Sequence, residues 1–242
     1  MKKKLQALAK SEWRSITRDF MLLITIFVPL LVAVFVRLAV PFATELLAVQ
    51  AGFDLEEHHV FIVAVALLMT PMMLGALAGL QILDDRDERI LSYISVTPLT
   101  REGYLAWRLF TPVVIGCVLT PLTLLVMGIV PLRLGVVAPV TLLAALGAPL
   151  YALLISSFAS NKVEGLAVAK ASGVIMWGPI AAYLLQGWWH LPAGLMPTYW
   201  PVMAFVAGYG EGRLFWVYIF AGVVVHIAWI VGLRFLFNRR AG

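Results

Sequence analysis

Long apolar runs alternate with short polar stretches along the whole chain. Six of these runs approach or exceed the roughly 20 helical residues that a bilayer crossing requires. They fall at about 20–40, 60–83, 103–130, 136–158, 165–185 and 214–237. The pattern predicts an all-α, polytopic membrane protein with six transmembrane helices. The polar stretches are too short to form a second domain, so we expect a single transmembrane domain covering residues 1–242.

Two further segments have a different pattern. Residues 1–19 are rich in Lys and Arg, and Leu5, Leu8 and Trp13 recur at helical spacing. A basic amphipathic helix of this kind lies in the membrane interface. Residues 186–212 combine tryptophans and tyrosines, which favour the membrane–water interface, with three prolines that interrupt a regular helix. This second segment is predicted to be re-entrant or interfacial, directly before the last span.

Composition supports the membrane class. Of the 242 residues 62% are apolar and only 13% are charged, and the mean hydropathy is +0.95, which excludes an ordinary soluble domain. Six spans place fifteen of the eighteen Lys and Arg residues on one side, together with both termini. The positive-inside rule makes that side cytoplasmic. We expect a multi-pass protein of a cell inner or plasma membrane.

The densest charge lies between the second and third spans, in the sequence DDRDERILSYISVTPLTR at residues 84–101. Seven of these eighteen residues are charged, and such a segment cannot lie in hydrocarbon. A short amphipathic stretch follows the charges and stops at Thr97-Pro98. On a helix, Asp85 and Arg89 form an i, i+4 pair. We interpret the segment as a cytoplasmic docking surface for a partner.

Small residues recur at four-residue spacing in two of the predicted spans. Gly75 and Gly79 form a GxxxG ridge, and Gly165, Ala169 and Gly173 form a second ridge at four-residue spacing; both favour close helix packing.

Three further residues are candidates to line a substrate pathway: Met72, Met73 and His226. Plain packing is the simpler interpretation of the methionines. The simpler interpretation of His226 is a hydrogen bond to a neighbouring helix.

Common catalytic and phosphate-binding motifs are missing from the sequence. The chain has no phosphate-binding loop, no HExxH and no GxSxG sequence. The acidic cluster at 84–88 is interleaved with arginine, and Glu56-Glu57-His58-His59 lacks a further ligand nearby, so we expect no metal site. No carboxylate accompanies His226 in the middle of a span. A membrane subunit powered by a partner therefore fits best, an ion-gradient-driven transporter or channel is the alternative, and a membrane enzyme is a third possibility.

The chain resembles the permease subunits of ABC type-2 transporters over nearly its whole length. The resemblance rests on three stretches: LAKSEWRSITRDFMLLITIFVPLL at the N-terminus, DDRDERILSYISVTPLTREGYLAWRL after the second span, and LMPTYWPVMAF before the last. Family members often carry Glu-x-Gly-Thr-Leu early in the central stretch, where this chain has Glu88-Arg-Ile-Leu91. The difference affects the detail of the docking surface.

The resemblance implies a permease that pairs with a second permease, identical or different, and with two separate ATPase subunits that bind ATP and Mg. The segment from Asp84 to Ser95 would be the helix that couples to the ATPase, and a connection at Val163–Lys170 would make a lesser contact. The stretch Gln186–Val206 would form an outer gate. The implied coupling residues are Asp84, Asp85, Arg86, Asp87, Glu88, Arg89, Ile90, Leu91, Tyr93 and Ile94, with Asn161, Lys162 and Glu164 at the lesser contact.

The resemblance also implies export, and the function expected of this chain is to translocate its substrate while the separate ATPase hydrolyses ATP. The sequence shows no charged cavity residue, so a hydrophobic or amphipathic substrate such as a drug, an antibiotic or a lipid-like molecule fits best. The two small-residue ridges, at Gly75/Gly79 and Gly165/Ala169/Gly173, are then expected to form a seam between the two permeases and the pathway beside it.

Overall fold

The computed structural model describes residues 20–88, 100–185, 190–210 and 212–241. These residues form α-helices and no strand, which confirms the predicted all-α class. The helices are α1 (Phe20–Ala51), α2 (His59–Leu67), α3 (Met69–Asp87), α4 (Arg101–Met127), α5 (Leu134–Ala145), α6 (Gly147–Phe158), α7 (Lys162–Ala171), α8 (Trp177–Leu184), α9 (His190–Ala193), α10 (Tyr199–Tyr209) and α11 (Phe215–Ala241).

Six segments of the described chain are long and apolar enough to cross a membrane, as predicted. Three of them are single helices: α1, α4 and α11. The second span consists of α2 and α3, which meet at Leu68, and the fourth consists of α5 and α6, which meet at Leu146. The fifth joins α7 to α8 through the 3₁₀ turn Ser172–Met176. The interfacial helix predicted for residues 1–19 lies outside the described residues.

Two boundaries differ from the prediction. The first helix continues through Pro41 to Ala51, so the predicted loop at 41–59 shortens to a few residues before the 3₁₀ turn Glu56–His58. Proline removes one backbone donor but does not end a helix whose following residues, FATELLAVQA, include many good helix formers. The second span also extends beyond residue 83, because α3 continues to Asp87 and includes the first four charged residues.

The stretch before the last span forms two short helices that enter the bundle. Helix α10 has eleven residues and is roughly 16 Å long, too short to cross a bilayer. Its side chains at Val202, Ala204 and Phe205 are fully buried in the main hydrophobic core, which α2, α5 and α11 also line. This geometry agrees with the predicted re-entrant segment, and we call α9 and α10 the inserted segment.

Helices α3 and α6 approach each other closely along the glycine ridge of the second span. A Cβ atom added at Gly75 would lie 2.4 Å from the carbonyl oxygen of Ala148, and one added at Gly79 would lie 2.9 Å from that of Ala152. Because the obstructing atoms belong to backbone, no rotamer change can make room. The ridge therefore allows the second and fourth spans to pack backbone against backbone.

This contact corrects the prediction that the glycine ridges form a seam with a second permease. Gly75 and Gly79 are covered by the chain's own α6, and Gly165 packs against the side chains of Leu80 and Leu83. Close packing was correctly inferred from the spacing, but the partner helix belongs to the same chain. Of the second ridge, Ala169 is partly buried on the core, while Gly173 is exposed and its part in a seam stays a prediction.

We expect Gly75→Ala to destabilise the protein by about 1–3 kcal/mol, the usual cost of overpacking a close contact. The measurement is the free energy of unfolding of the purified chain in mixed micelles. Gly232→Ala is the matched control, because a Cβ atom at that helical position meets nothing within 4 Å. Equal stability of the two variants would show that α3 and α6 do not approach as closely as described.

Candidate coupling site and inner cavity

The charged segment is attached to the bundle by the last turn of α3 and the first turns of α4. We call this end of the bundle the charged end. Helix α4 begins with a regular N-cap, in which the side-chain oxygen of Thr100 accepts a hydrogen bond from the backbone N–H of Gly103 at 3.2 Å. Residues 89–99 lie outside the described residues, so the site is built from the two stems that hold them.

A hydrogen-bonded ion pair ties the two stems together. The Arg108 guanidinium donates to the Asp85 carboxylate at 2.6 Å, and the Tyr104 hydroxyl donates to the same carboxylate oxygen. Arg108 also donates to the Tyr104 hydroxyl at 3.1 Å and to the side-chain oxygen of Gln81 at 3.2 Å. We call Gln81, Asp85, Tyr104 and Arg108 the anchor network.

Burial makes the anchor network stronger than an ordinary surface pair. The side chain of Asp85 is 14% exposed and that of Arg108 is 22% exposed. A charge removed this far from water costs free energy unless a partner compensates it, so loss of either partner leaves the other unfavourably placed. The i, i+4 spacing pairs Asp85 with Arg89, which lies outside the described residues. Within them, the Asp85 carboxylate bonds across to α4, where Arg108 and Tyr104 lie one turn apart.

The neighbouring arginine holds a different helix. Arg86 donates to the carbonyl oxygens of Ser156 at 3.2 Å and Ala159 at 3.4 Å, at the C-terminal end of α6. Carbonyls at a helix C-terminus lack partners within the helix, and a cation there also interacts favourably with the helix dipole. The guanidinium carbon lies 5.2 Å from the ring centre of Phe237 on α11. Arg86 therefore joins α3 to the fourth and sixth spans.

The predicted lesser contact is joined to the same end of α3. The Lys162 ammonium donates to the Asp84 carboxylate at 2.6 Å, and the backbone N–H of Lys162 donates to Asp87 at 3.2 Å. Asn161 caps α7 by accepting from the N–H of Glu164 at 3.0 Å. The structure thus brings both predicted contact regions together on one surface.

The positions at the charged end divide into two groups. Asp84, Asp85 and Arg86 are half-buried and engaged within the chain, and their part in coupling to a partner stays a prediction. Asp87 and Glu88 are exposed. The remaining predicted coupling residues, Arg89, Ile90, Leu91, Tyr93 and Ile94, lie outside the described residues and stay predictions. The engaged charges form a base, and the exposed ones begin the docking surface.

A small cavity lies in the bundle interior, where the inserted segment meets the helix junctions of the second and fourth spans. Its lining is Leu68, Pro71, Met72, Ala144, Gly147, Leu150, Tyr151, Pro197, Thr198, Pro201 and His226. Two predicted pathway residues, Met72 and His226, therefore meet here, while Met73 is not part of the lining. We call this space the inner cavity.

Among the described residues, the buried His226 bonds within its own helix. Its Nδ1 lies 2.8 Å from the carbonyl oxygen of Gly222, one turn earlier on α11. Sequence reasoning also missed Tyr151 at the inner cavity and Gln81, Tyr104 and Arg108 in the anchor network. A tyrosine in the middle of an apolar span was the available signal for the first. The network partners lie across a loop, and nothing in the spacing of residues pairs them.

At the opposite end of the bundle, another arginine bonds a backbone carbonyl at a helix C-terminus. Arg37 on α1 donates to the carbonyl oxygen of Val126 in the last turn of α4, at 3.1 Å. The next residue after α4, Gly128, has a φ of +60°, the left-handed conformation that commonly ends a helix. Arg37 therefore joins the first span to the third.

Six apolar segments, with an inserted segment before the last, define a multi-pass membrane protein. The chain belongs to the family of Rv2686c-like fluoroquinolones export permease proteins, whose model matches residues 12–234. This membership confirms the resemblance to ABC type-2 permeases. It supports the assignment of the chain as an exporter permease subunit.

Two curated relatives are similar over almost the full length. Both are named fluoroquinolones export permease proteins, MT2760 and Rv2686c, and come from two strains of Mycobacterium tuberculosis. Each is 32% identical over 236 residues, covering 96% of this chain and 93% of the relative. No solved structure matches the chain.

We expect Asp85→Ala to lower the free energy of unfolding by roughly 1–3 kcal/mol, because it leaves the half-buried Arg108 without its carboxylate. Asp84→Ala is the matched control. Its pair with Lys162 is considerably more exposed, so it should cost less than about 1 kcal/mol. Unfolding in mixed micelles measures both, and an equal loss in the two variants would contradict the special role of the anchor network.

Proposed function

We propose that this chain is the membrane-spanning subunit of an ATP-driven ABC exporter, and that it moves hydrophobic or amphipathic substrates of the fluoroquinolone type. ATP and Mg bind to two separate ATPase subunits, and a second permease completes the transporter. The observation that carries the proposal is the construction of the charged end. The anchor network and Arg86 hold the two stems of the charged segment against the bundle.

This construction suits the transmission of force. A loop that only connects two spans needs no rigid attachment. A loop that transmits a partner's movement must be held rigidly where it joins the helices. The Asp85–Arg108 pair fixes α3 to α4, and Arg86 fixes α3 to α6. A displacement of residues 88–100 would therefore be transmitted to the second, third and fourth spans together.

Charge supports the orientation. The predicted topology assigns fifteen of the eighteen Lys and Arg residues to the side of the charged end, and the positive-inside rule then favours a cytoplasmic location for that end, both termini and the docking surface. The partner ATPase then meets its nucleotide on the same side. A compact chain without long loops fits an inner or plasma membrane.

Substrate chemistry is inferred from two sources. The curated relatives are named for fluoroquinolones, which are aromatic and amphipathic. The inner cavity is small, and it is lined mostly by apolar side chains with three polar groups. A pathway that passes Met72 and His226 would offer an adaptable thioether and a hydrogen-bonding imidazole to such a molecule.

Inverted vesicles that contain the chain and the ATPase encoded beside it test the proposal. We expect fluoroquinolone uptake to need hydrolysable ATP and to continue when a protonophore collapses the ion gradient. Vesicles with an ATPase variant unable to hydrolyse ATP are the control. Uptake that stops with the protonophore while ATP is held constant would favour the ion-gradient-driven alternative.

We expect Glu88→Lys to reduce transport at least tenfold by reversing charge at the exposed start of the docking surface, while the thermal unfolding temperature of the chain stays unchanged. Arg89→Glu should act in the same way. Co-purification of the ATPase and ATP turnover in lipid are the measurements. Glu56→Lys, an equally exposed acid at the opposite end of the spans, is the control. Normal ATPase binding and turnover in both coupling variants would contradict the assignment.

A further inference from the structure

The inner cavity contains polar groups whose hydrogen-bonding capacity is not used up by the protein. It lies among apolar side chains, where the inserted segment meets the fourth and sixth spans, and it has room for about one water molecule. Three of its lining residues carry a side-chain hydroxyl or an imidazole: Tyr151 on α6, Thr198 beside α10, and His226 on α11. Each of the three is buried.

The Tyr151 hydroxyl is the first such group. The residue is 2% exposed, and its hydroxyl has no hydrogen-bond partner among the described residues. A hydroxyl removed from water without a partner loses its hydration and gains nothing in return. The usual resolution in folded proteins is an ordered water. Tyr151 therefore offers a donor that requires an acceptor within the cavity.

His226 supplies the complementary group. Because a backbone carbonyl can only accept, the 2.8 Å contact with Gly222 means that Nδ1 carries a hydrogen and donates. In the neutral imidazole the other nitrogen, Nε2, is then an acceptor. The described residues give Nε2 no hydrogen bond. A donor and an acceptor that are not bonded to each other thus line the same small cavity.

Thr198 can complete the set. Its hydroxyl donates to the carbonyl oxygen of Ile175 at 2.6 Å, so its one hydrogen is used and its oxygen can still accept. One water can accept from Tyr151 and donate to both His226 Nε2 and Thr198 Oγ1. That makes three hydrogen bonds, the usual number for a buried water.

We infer that Tyr151, Thr198 and His226 form a binding site for one water molecule in the interior of the bundle. The water links the fourth span, the sixth span and the inserted segment at a point where the second and fourth spans are both interrupted. If the pathway of the proposed function runs through this cavity, a substrate must displace the water. A substrate group that both donates and accepts a hydrogen bond replaces it at the least cost.

The sign of a stability change tests the site without any transport assay. In the full chain in lipid nanodiscs, Tyr151→Phe removes only the hydroxyl oxygen. If the hydroxyl bonds a water, the thermal unfolding temperature falls by roughly 2–4 °C. If the hydroxyl is simply without a partner, its removal leaves the temperature unchanged or raises it, and the inference is overturned.

Two histidine variants show whether the water also reaches Nε2. The side-chain amide of His226→Gln lies near the position of Nε2, whereas that of His226→Asn lies near Nδ1. We expect Tyr151→Phe to cost stability in the Gln background and to cost little in the Asn background. Equal costs in both would remove His226 from the site and overturn the bridge.

Tyr209→Phe is the matched control for sensitivity, since the Tyr209 hydroxyl donates directly to the carbonyl oxygen of Pro131 at 2.5 Å. It should lower the unfolding temperature whether or not the water site exists. Failure of the vesicle experiment would refute the proposed function and leave these stability results unaffected. The two inferences are therefore tested separately.

Discussion

The second and fourth spans are packed so closely that only glycine fits between them at residues 75 and 79. Much of the molecule depends on this one contact. At one end it brings Arg86 within reach of the last carbonyls of α6, and through them it sets the base of the charged segment. Toward the other end, both helices line the inner cavity, which contains Met72 from α3 and Tyr151 from α6. The attachment of the charged segment and the proposed substrate pathway therefore both depend on the pair α3 and α6.

The hydrocarbon environment explains how the charges are used. A charged group inside hydrocarbon, or half-buried at the end of a helix bundle, has lost most of its water and needs a partner within the protein. Arg37 and Arg86 meet this requirement by bonding the carbonyl ends of neighbouring helices, and Arg108 does so through a carboxylate. Each bond joins two different spans. The same requirement that makes these side chains costly also makes them effective connections between helices.

The helices could be predicted from the sequence more readily than the contacts between them. Apolar runs of sufficient length predicted all six spans, because a bilayer imposes that length on any crossing helix. The helix extended past Pro41 because proline removes a single donor, which the surrounding turns tolerate. Small-residue spacing correctly predicted close packing at Gly75, but spacing carries no information on whether the partner belongs to the same chain. The i, i+4 rule finds pairs on one helix only, so it could not reveal that Asp85 also pairs with Arg108 across a loop. The meeting of Met72 with His226 likewise depends on tertiary packing, so the two could be named from the sequence but not placed together.

We propose that the anchor network passes the work of a separate ATPase to the spans. The amount of substrate exported per ATP hydrolysed tests this role, measured in proteoliposomes that contain the assembled transporter with Arg108→Gln. ATPase binding and hydrolysis should continue while the export ratio falls severalfold, because α3 and α4 no longer move as one unit. An unchanged ratio in a folded variant would contradict it.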